Sequence, residues 1–181
     1  MRVVLGIAAG VLLAACSPAK KDEAAKPPAA AETTPETSGP TGQPVPADVS
    51  GAEKLVRDLN AREAVPGAGP DNDVFFARDL SAALKADGAD GEIGEIAYDY
   101  RWNAQDFEIT EVSYAALPVN TDRALVTVSF KNFGEPGQTF YDLCKRPDAS
   151  WKILDVRSND KPDGSVRAHL GLGRSEAATQ C

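Results

Sequence analysis

Arg123-Ala124-Leu125-Val126-Thr127-Val128-Ser129-Phe130-Lys131-Asn132-Phe133 decides the fold of this 181-residue chain. Ala124, Val126, Val128 and Phe130 alternate with Leu125, Thr127, Ser129 and Lys131. That period of two places one set on a buried sheet face and the other toward water. Upstream, Phe107 to Leu117 repeats the strand-like pattern with Phe107, Ile109, Val112 and Tyr114. Downstream, Gln138 to Arg146 and Ser150 to Arg157 supply two more runs. The junctions Gly134-Glu135-Pro136-Gly137 and Lys145-Arg146-Pro147-Asp148-Ala149 have the glycine, proline and aspartate that tight turns use. Four short strands so joined predict an antiparallel meander.

Before the sheet the period lengthens to that of a helix. Ser50-Gly51-Ala52-Glu53 has the capping-box form, and Ala52, Leu55, Val56, Leu59 and Ala61 follow it at near-helical spacing. Val65-Pro66-Gly67-Ala68-Gly69-Pro70 stops that helix. Asp71 to Asp73 can cap a second, whose stripe of Phe75, Phe76, Leu80, Ala83 and Leu84 runs to Gly88, with Glu92 to Ala97 as a short continuation. The expected fold is therefore α+β, with N-terminal helices packed on an antiparallel sheet of about four strands. Residues 50–181 suit a single domain with one core.

Two segments carry a family resemblance. Trp102-Asn103-Ala104-Gln105-Asp106 and the strand Trp151-Lys152-Ile153-Leu154-Asp155-Val156 resemble a bacterial periplasmic family of unknown function. That family has the nuclear-transport-factor-2-like, or cystatin-like, curved-cone fold. The similarity spans about residues 50–172 and implies a helix pair, a Gln-Asp turn and a sheet curved into a cone. The family's Phe-Asp-Pro before that turn appears here as Tyr98-Asp99-Tyr100, without the proline. The cone itself hosts isomerases, dehydratases, binding domains and immunity proteins, so the resemblance implies a fold and leaves function open.

The other end of the chain carries an address. Leu13-Ala14-Ala15-Cys16 follows Arg2 and an apolar run from Val3 to Leu13, too short to span a bilayer, and resembles a bacterial lipobox. The resemblance implies a signal peptide over residues 1–15, cleavage before Cys16, and lipid on its sulfur and new amine, which together anchor stably. Ser17 in place of aspartate implies sorting to the outer membrane with the domain facing the periplasm. Residues 16–49 then form a tether: Ser17 to Val49 holds seven prolines and seven alanines and almost no large apolar side chains. Such a composition cannot bury enough surface to fold. Its reach runs from roughly 30 Å as a flexible coil to about 100 Å if fully polyproline-like.

The formal net charge of -8 supplies no clustered Lys/Arg footprint, which argues against nucleic acid as a partner. With Cys16 committed to lipid, Cys144 and Cys181 remain. Two cysteines in an oxidising compartment invite one bridge. The alternative is a buried Cys144 with Cys181 free or paired to another chain. Two cysteines and one histidine make no compact metal set, and no cofactor is expected. His169, the only histidine, reads as a solvated residue in a final helical turn. Gly171-Leu172-Gly173 lacks the third glycine and the strand-to-helix setting of a dinucleotide fingerprint.

The strongest polar and aromatic cluster is Tyr98, Asp99, Tyr100, Arg101, Trp102, Gln105 and Asp106, just before the sheet at the mouth of the expected cone. Tyr98, Asp99, Arg101, Trp102 and Asp106, with Asp155 on the last strand beside Trp151 and Ile153, are the candidate ligand-binding residues. A buried aspartate beside a tyrosine suits proton transfer. The competing reading makes Gln105 and Asp106 turn caps, pairs Arg101 with a carboxylate and lays Trp102 over the core edge. No catalytic residue is assigned. Three functions follow in order: a membrane-anchored, non-enzymatic binding domain for a protein partner or small apolar ligand, including an inhibitor or immunity role; a small isomerase or hydrolase using an aspartate; and a structural envelope component.

Overall fold

The alternating run belongs to the second strand of a four-stranded antiparallel sheet of order β1-β2-β3-β4. The strands are β1 (Ile109–Pro118), β2 (Arg123–Asn132), β3 (Glu135–Lys145) and β4 (Trp151–Ser158). Helices α1 (Ser50–Asn60), α2 (Asn72–Phe75) and α3 (Arg78–Ala86) precede the sheet in the chain, and α4 (Val166–His169) follows it. The fold is α+β. This computed structural model describes residues 47–64, 71–89, 93–158, 164–173, 175 and 181, all within the unit Gly42–Cys181. The expected leader, Cys16, the expected tether as far as residue 46 and the Pro-Gly segment 65–70 lie outside the described residues.

Ala124, Val126, Val128 and Phe130 are buried, as their alternation requires. They share one apolar cluster with Tyr141, Leu143, Ile153 and Val156 from the neighbouring strands and with Ala52, Val56 and Leu59 from α1. Each fully buried aliphatic side chain there is worth about 1.5–3 kcal/mol. The β2–β3 turn is tighter than the Gly134–Gly137 junction suggested: Asn132 pairs with Glu135, and Phe133 and Gly134 alone make the turn. Both have positive φ, 50° and 85°, the geometry that matches the twist of a two-residue hairpin. Gly137 faces Phe130, where a Cβ would stand 2.6 Å from the ring. The β3–β4 turn forms as expected, with Asp148 accepting the amide and hydroxyl of Ser150 at 3.0 and 2.6 Å.

Several local expectations are corrected. Val49, not Ser50, precedes α1, and no side chain caps it; the Asp48 carboxylate takes the Ser50 amide, and Glu53 turns to Arg57. The stripe over Phe75–Leu84 is two helices, because Phe76 and Ala77 leave helical geometry to meet β4. Phe76 bridges Ile153 in parallel, and the Ala77 amide donates to the Ile153 carbonyl at 2.9 Å. Residues 93–97 are not helical; the Asp87 carboxylate holds the amides of Glu95 and Ile96 instead. Phe107 lies outside β1 and is 41 % exposed, and Val112 is 40 % exposed. A bulge between Thr110 and Ser113, with Glu111 at φ 53°, shifts the alternation there, so that Ile109, Tyr114 and Ala116 pack against the core.

The free edge of β4 is covered. Ala77 takes the Ile153 carbonyl, the Arg167 Nη1 donates to the Leu154 carbonyl at 3.2 Å, and Ser158 donates its amide to Gly164 at 3.2 Å. Such cover blocks edge-to-edge pairing.

Candidate functional site

Tyr98 to Ala104 form a tight loop that enters the core rather than lining a mouth. Asp99 and Ala104 bridge each other in antiparallel fashion, Asn103 takes φ 52°, and the Asp99 carboxylate accepts the Arg101 amide at 3.0 Å. That short closure drives the Arg101 side chain inward, where it is 1 % exposed. Its Nη2 and Nε donate to the same carboxylate, at 2.6 Å and at 3.0 and 3.2 Å. Its Nη1 donates to the carbonyls of Arg62 at 2.6 Å and Leu59 at 3.4 Å. The Leu59 carbonyl lies in the last turn of α1, at the negative end of its dipole, and the Arg62 carbonyl lies two residues past its end at Asn60. Arg101 is a helix C-cap supplied from 42 residues downstream of Leu59.

The rest of the loop is equally committed. The Thr139 hydroxyl donates to the Arg101 carbonyl at 2.8 Å. Trp102 meets Phe130 edge to face, with centroids 5.2 Å apart. Tyr100 packs against Phe76, and its buried hydroxyl has no hydrogen-bond partner among the described residues. Burial, then the charge of Asp99, pushes the Tyr100 phenol far up. Gln105 is exposed and reaches the Ala97 carbonyl at 3.2 Å. Asp106 is exposed and makes no hydrogen bond or ion pair among the described residues.

Asp155 is buried, at 2 % exposed, but not beside Trp151 and Ile153. Asp142 pairs with Asp155 while Leu143 pairs with Ile153, so β4 holds an extra residue, Leu154. The slip turns Asp155 to the opposite face. There its carboxylate accepts the Ser165 hydroxyl at 2.7 Å and the amides of Val156 and Arg167 at 2.9 and 3.1 Å, clamping the start of α4. Burial raises its pKa against the pull of those donors. Tyr98 is half-buried; burial first, then the charge of Asp155, raises its phenol. Its ring meets the exposed His169 edge to face at 6.2 Å.

The structure thus joins Asp99 to Arg101, sends Asp155 to α4, places Trp102 on the core and leaves Asp106 in water. Arg167 was not legible as a buried residue, since an arginine in a short polar helix reads as solvated. At 3 % exposed it donates to Gly173 at 2.8 Å and, by Nη2, to Asp79 at 2.7 Å. Burial pushes the Asp79 pKa up, but the hydrogen bond from Arg167 and the Leu80 amide bring it below its usual value.

Cys144 and Cys181 are bridged, with Cα atoms 5.7 Å apart. Together with Ala77 and Leu154 they make a second, small apolar cluster. A cavity of about 340 Å³ lies beside Cys181, and another of about 400 Å³ lies between Val119 and Ser175. None of the six candidate ligand-binding residues lines either. Among the described residues no three His, Cys, Asp or Glu side chains group to hold a metal, and no helix is long and apolar enough to cross a membrane.

These features define an α+β domain with an antiparallel four-stranded meander and a structurally committed polar cluster. Compared with protein families, with curated proteins and with solved structures, the chain matches none.

Proposed function

We propose that this chain is an envelope lipoprotein, anchored through Cys16 in the outer membrane, whose folded part is a non-enzymatic binding domain facing the periplasm. The observation that carries the non-enzymatic reading is the commitment of the candidate acids. Asp99 is spent on Arg101 and Asp155 on Ser165 and Arg167, so neither is poised to move a substrate proton. The lipobox-like Leu13-Ala14-Ala15-Cys16 and the Pro/Ala-rich tether support the placement. A tethered module gains effective concentration toward partners near its membrane. The bulges in β1 and β4 bend strands, which supports the curved-cone form of the sheet. A structural role is disfavoured by the face of Leu125, Thr127, Ser129 and Lys131, too polar for a large obligate interface.

Metabolic labelling with palmitate tests the anchor in the full chain. Label should enter the native protein and vanish in Cys16→Ser, which should leave the membrane fraction; a Cys16→Ser protein still labelled and membrane-bound refutes it. Asp106, the unengaged acid, tests the catalytic alternative. Ketosteroid isomerisation or ester hydrolysis by the native protein, lost in Asp106→Asn, would overturn the non-enzymatic reading.

A further inference from the structure

We propose that the cavity beside the Cys144–Cys181 disulfide is a binding site for a small, water-soluble phosphomonoester. The cavity encloses about 340 Å³, at the lower end of the roughly 300–1,000 Å³ typical of small-molecule sites. Three cations converge on it from separate elements: Arg78 at the start of α3, Arg146 in the β3–β4 turn and Lys152 on β4. In a chain of net charge -8 this concentration runs against the whole.

Among the described residues little neutralises it. Asp73, whose side chain is the acidic one among the described wall residues, gives its carboxylate to the Ser81 hydroxyl and the Lys85 ammonium, both at 2.6 Å. Asp148 stands 3.9 Å from Arg146, with both side chains largely exposed. Arg78 makes no ion pair among the described residues. The Lys152 ammonium donates to the carbonyls of Asp73 at 2.5 Å and Val74 at 2.6 Å, which fixes its direction and leaves its third proton for a ligand. Burial and then the charge of Arg146 lower the Lys152 pKa, while Asp73 and Asp148 oppose that shift. An anion would relieve this repulsion.

The same wall selects the ligand. A dianion matches three cations better than a carboxylate does, and guanidinium groups grip phosphate through paired hydrogen bonds. Phe76, Ala77 and the Cys181 side of the disulfide form the remaining wall, apolar and fixed by the Ala77 to Ile153 hydrogen bond, which suits the organic part of an ester. The site is independent of the anchor and of the binding role proposed above.

Calorimetric titration of the full-length, oxidised protein at low ionic strength tests it, with phenyl phosphate, benzoate and inorganic phosphate as probes. Phenyl phosphate should bind with Kd below about 1 mM, at least tenfold tighter than benzoate or inorganic phosphate. The double variant Arg78→Gln/Arg146→Gln, whose side chains are exposed, should weaken it at least tenfold while the ligand-free Tm stays unchanged. Absence of binding at 10-fold higher concentration, equal binding of benzoate, or unchanged affinity in the double variant overturns the proposal. Arginine-dependent binding to vesicles containing phosphatidate, without binding of phenyl phosphate, assigns the phosphate to a lipid and overturns it as well.

Discussion

Asp99→Asn is the sharpest test of the polar cluster, because it removes one charge and almost no volume. The carboxylate accepts three hydrogen bonds from the Arg101 side chain, which is 1 % exposed, so neutralising it strands a cation inside the core. Breaking one partner of a buried ion pair costs about 3–5 kcal/mol. The carbonyls of Leu59 and Arg62 still solvate the guanidinium, which places the loss near the lower bound, about 3 kcal/mol. A domain of this size has roughly 5–15 kcal/mol in all. At a urea slope of about 2 kcal/mol/M, the unfolding midpoint should fall by roughly 1.5 M. Equilibrium urea unfolding followed by tryptophan fluorescence reads this directly, since Trp102 adjoins Arg101. Asp99→Asn/Arg101→Met should recover most of the loss, because no unpaired charge then stays buried. A carboxylate held in reserve for a ligand behaves the other way, and its neutralisation leaves stability unchanged or raised. A fall below 1 kcal/mol in Asp99→Asn would therefore refute the structural assignment and return the cluster to the candidate sites.

The disulfide closes a loop of 37 residues, worth about 4 kcal/mol on the chain-entropy account. Cys181→Ser, or reductant added to the native protein, should lower Tm on the order of 10 °C in scanning calorimetry, and a drop under about 2 °C contradicts it. Asp155 has a raised pKa, so the folded state holds its proton more tightly than the unfolded chain. Its contribution is greatest below the ordinary carboxylate range and is lost as pH rises through the folded pKa. Native protein should thus gain stability relative to Asp155→Asn as pH is lowered from 7 toward 3.8; parallel urea midpoints across that range would show the buried carboxylate to be electrostatically silent.

The strands were legible because strand periodicity is local. Ala124, Val126, Val128 and Phe130 are buried by their own alternation, and Pro147 and Asp148 mark the β3–β4 turn by local turn chemistry, in which Asp148 holds Ser150. The cysteine pair was legible from count and the compartment expected from the lipobox-like leader, though pairing needed the tail to return to β3. The polar cluster was legible as a cluster and not as a destination. Nothing in the order of residues 98–106 says that Arg101 will cap a helix ending forty residues earlier, since that partner exists only once α1 lies against the sheet.

What the sequence by itself determined is the α+β class, the four strands and the alternating buried face of β2, all consequences of side-chain period and turn chemistry within short windows. Only the tertiary structure decided where the charges went. One extra residue at Leu154 turned Asp155 to the other face, one hydrogen bond to Ile153 split a helix at Phe76 and Ala77, and three distant cations met around one cavity. Each depends on which groups are left without a partner when elements pack. A buried polar group must find its partner wherever the fold has placed one, and that distance has no imprint on local pattern.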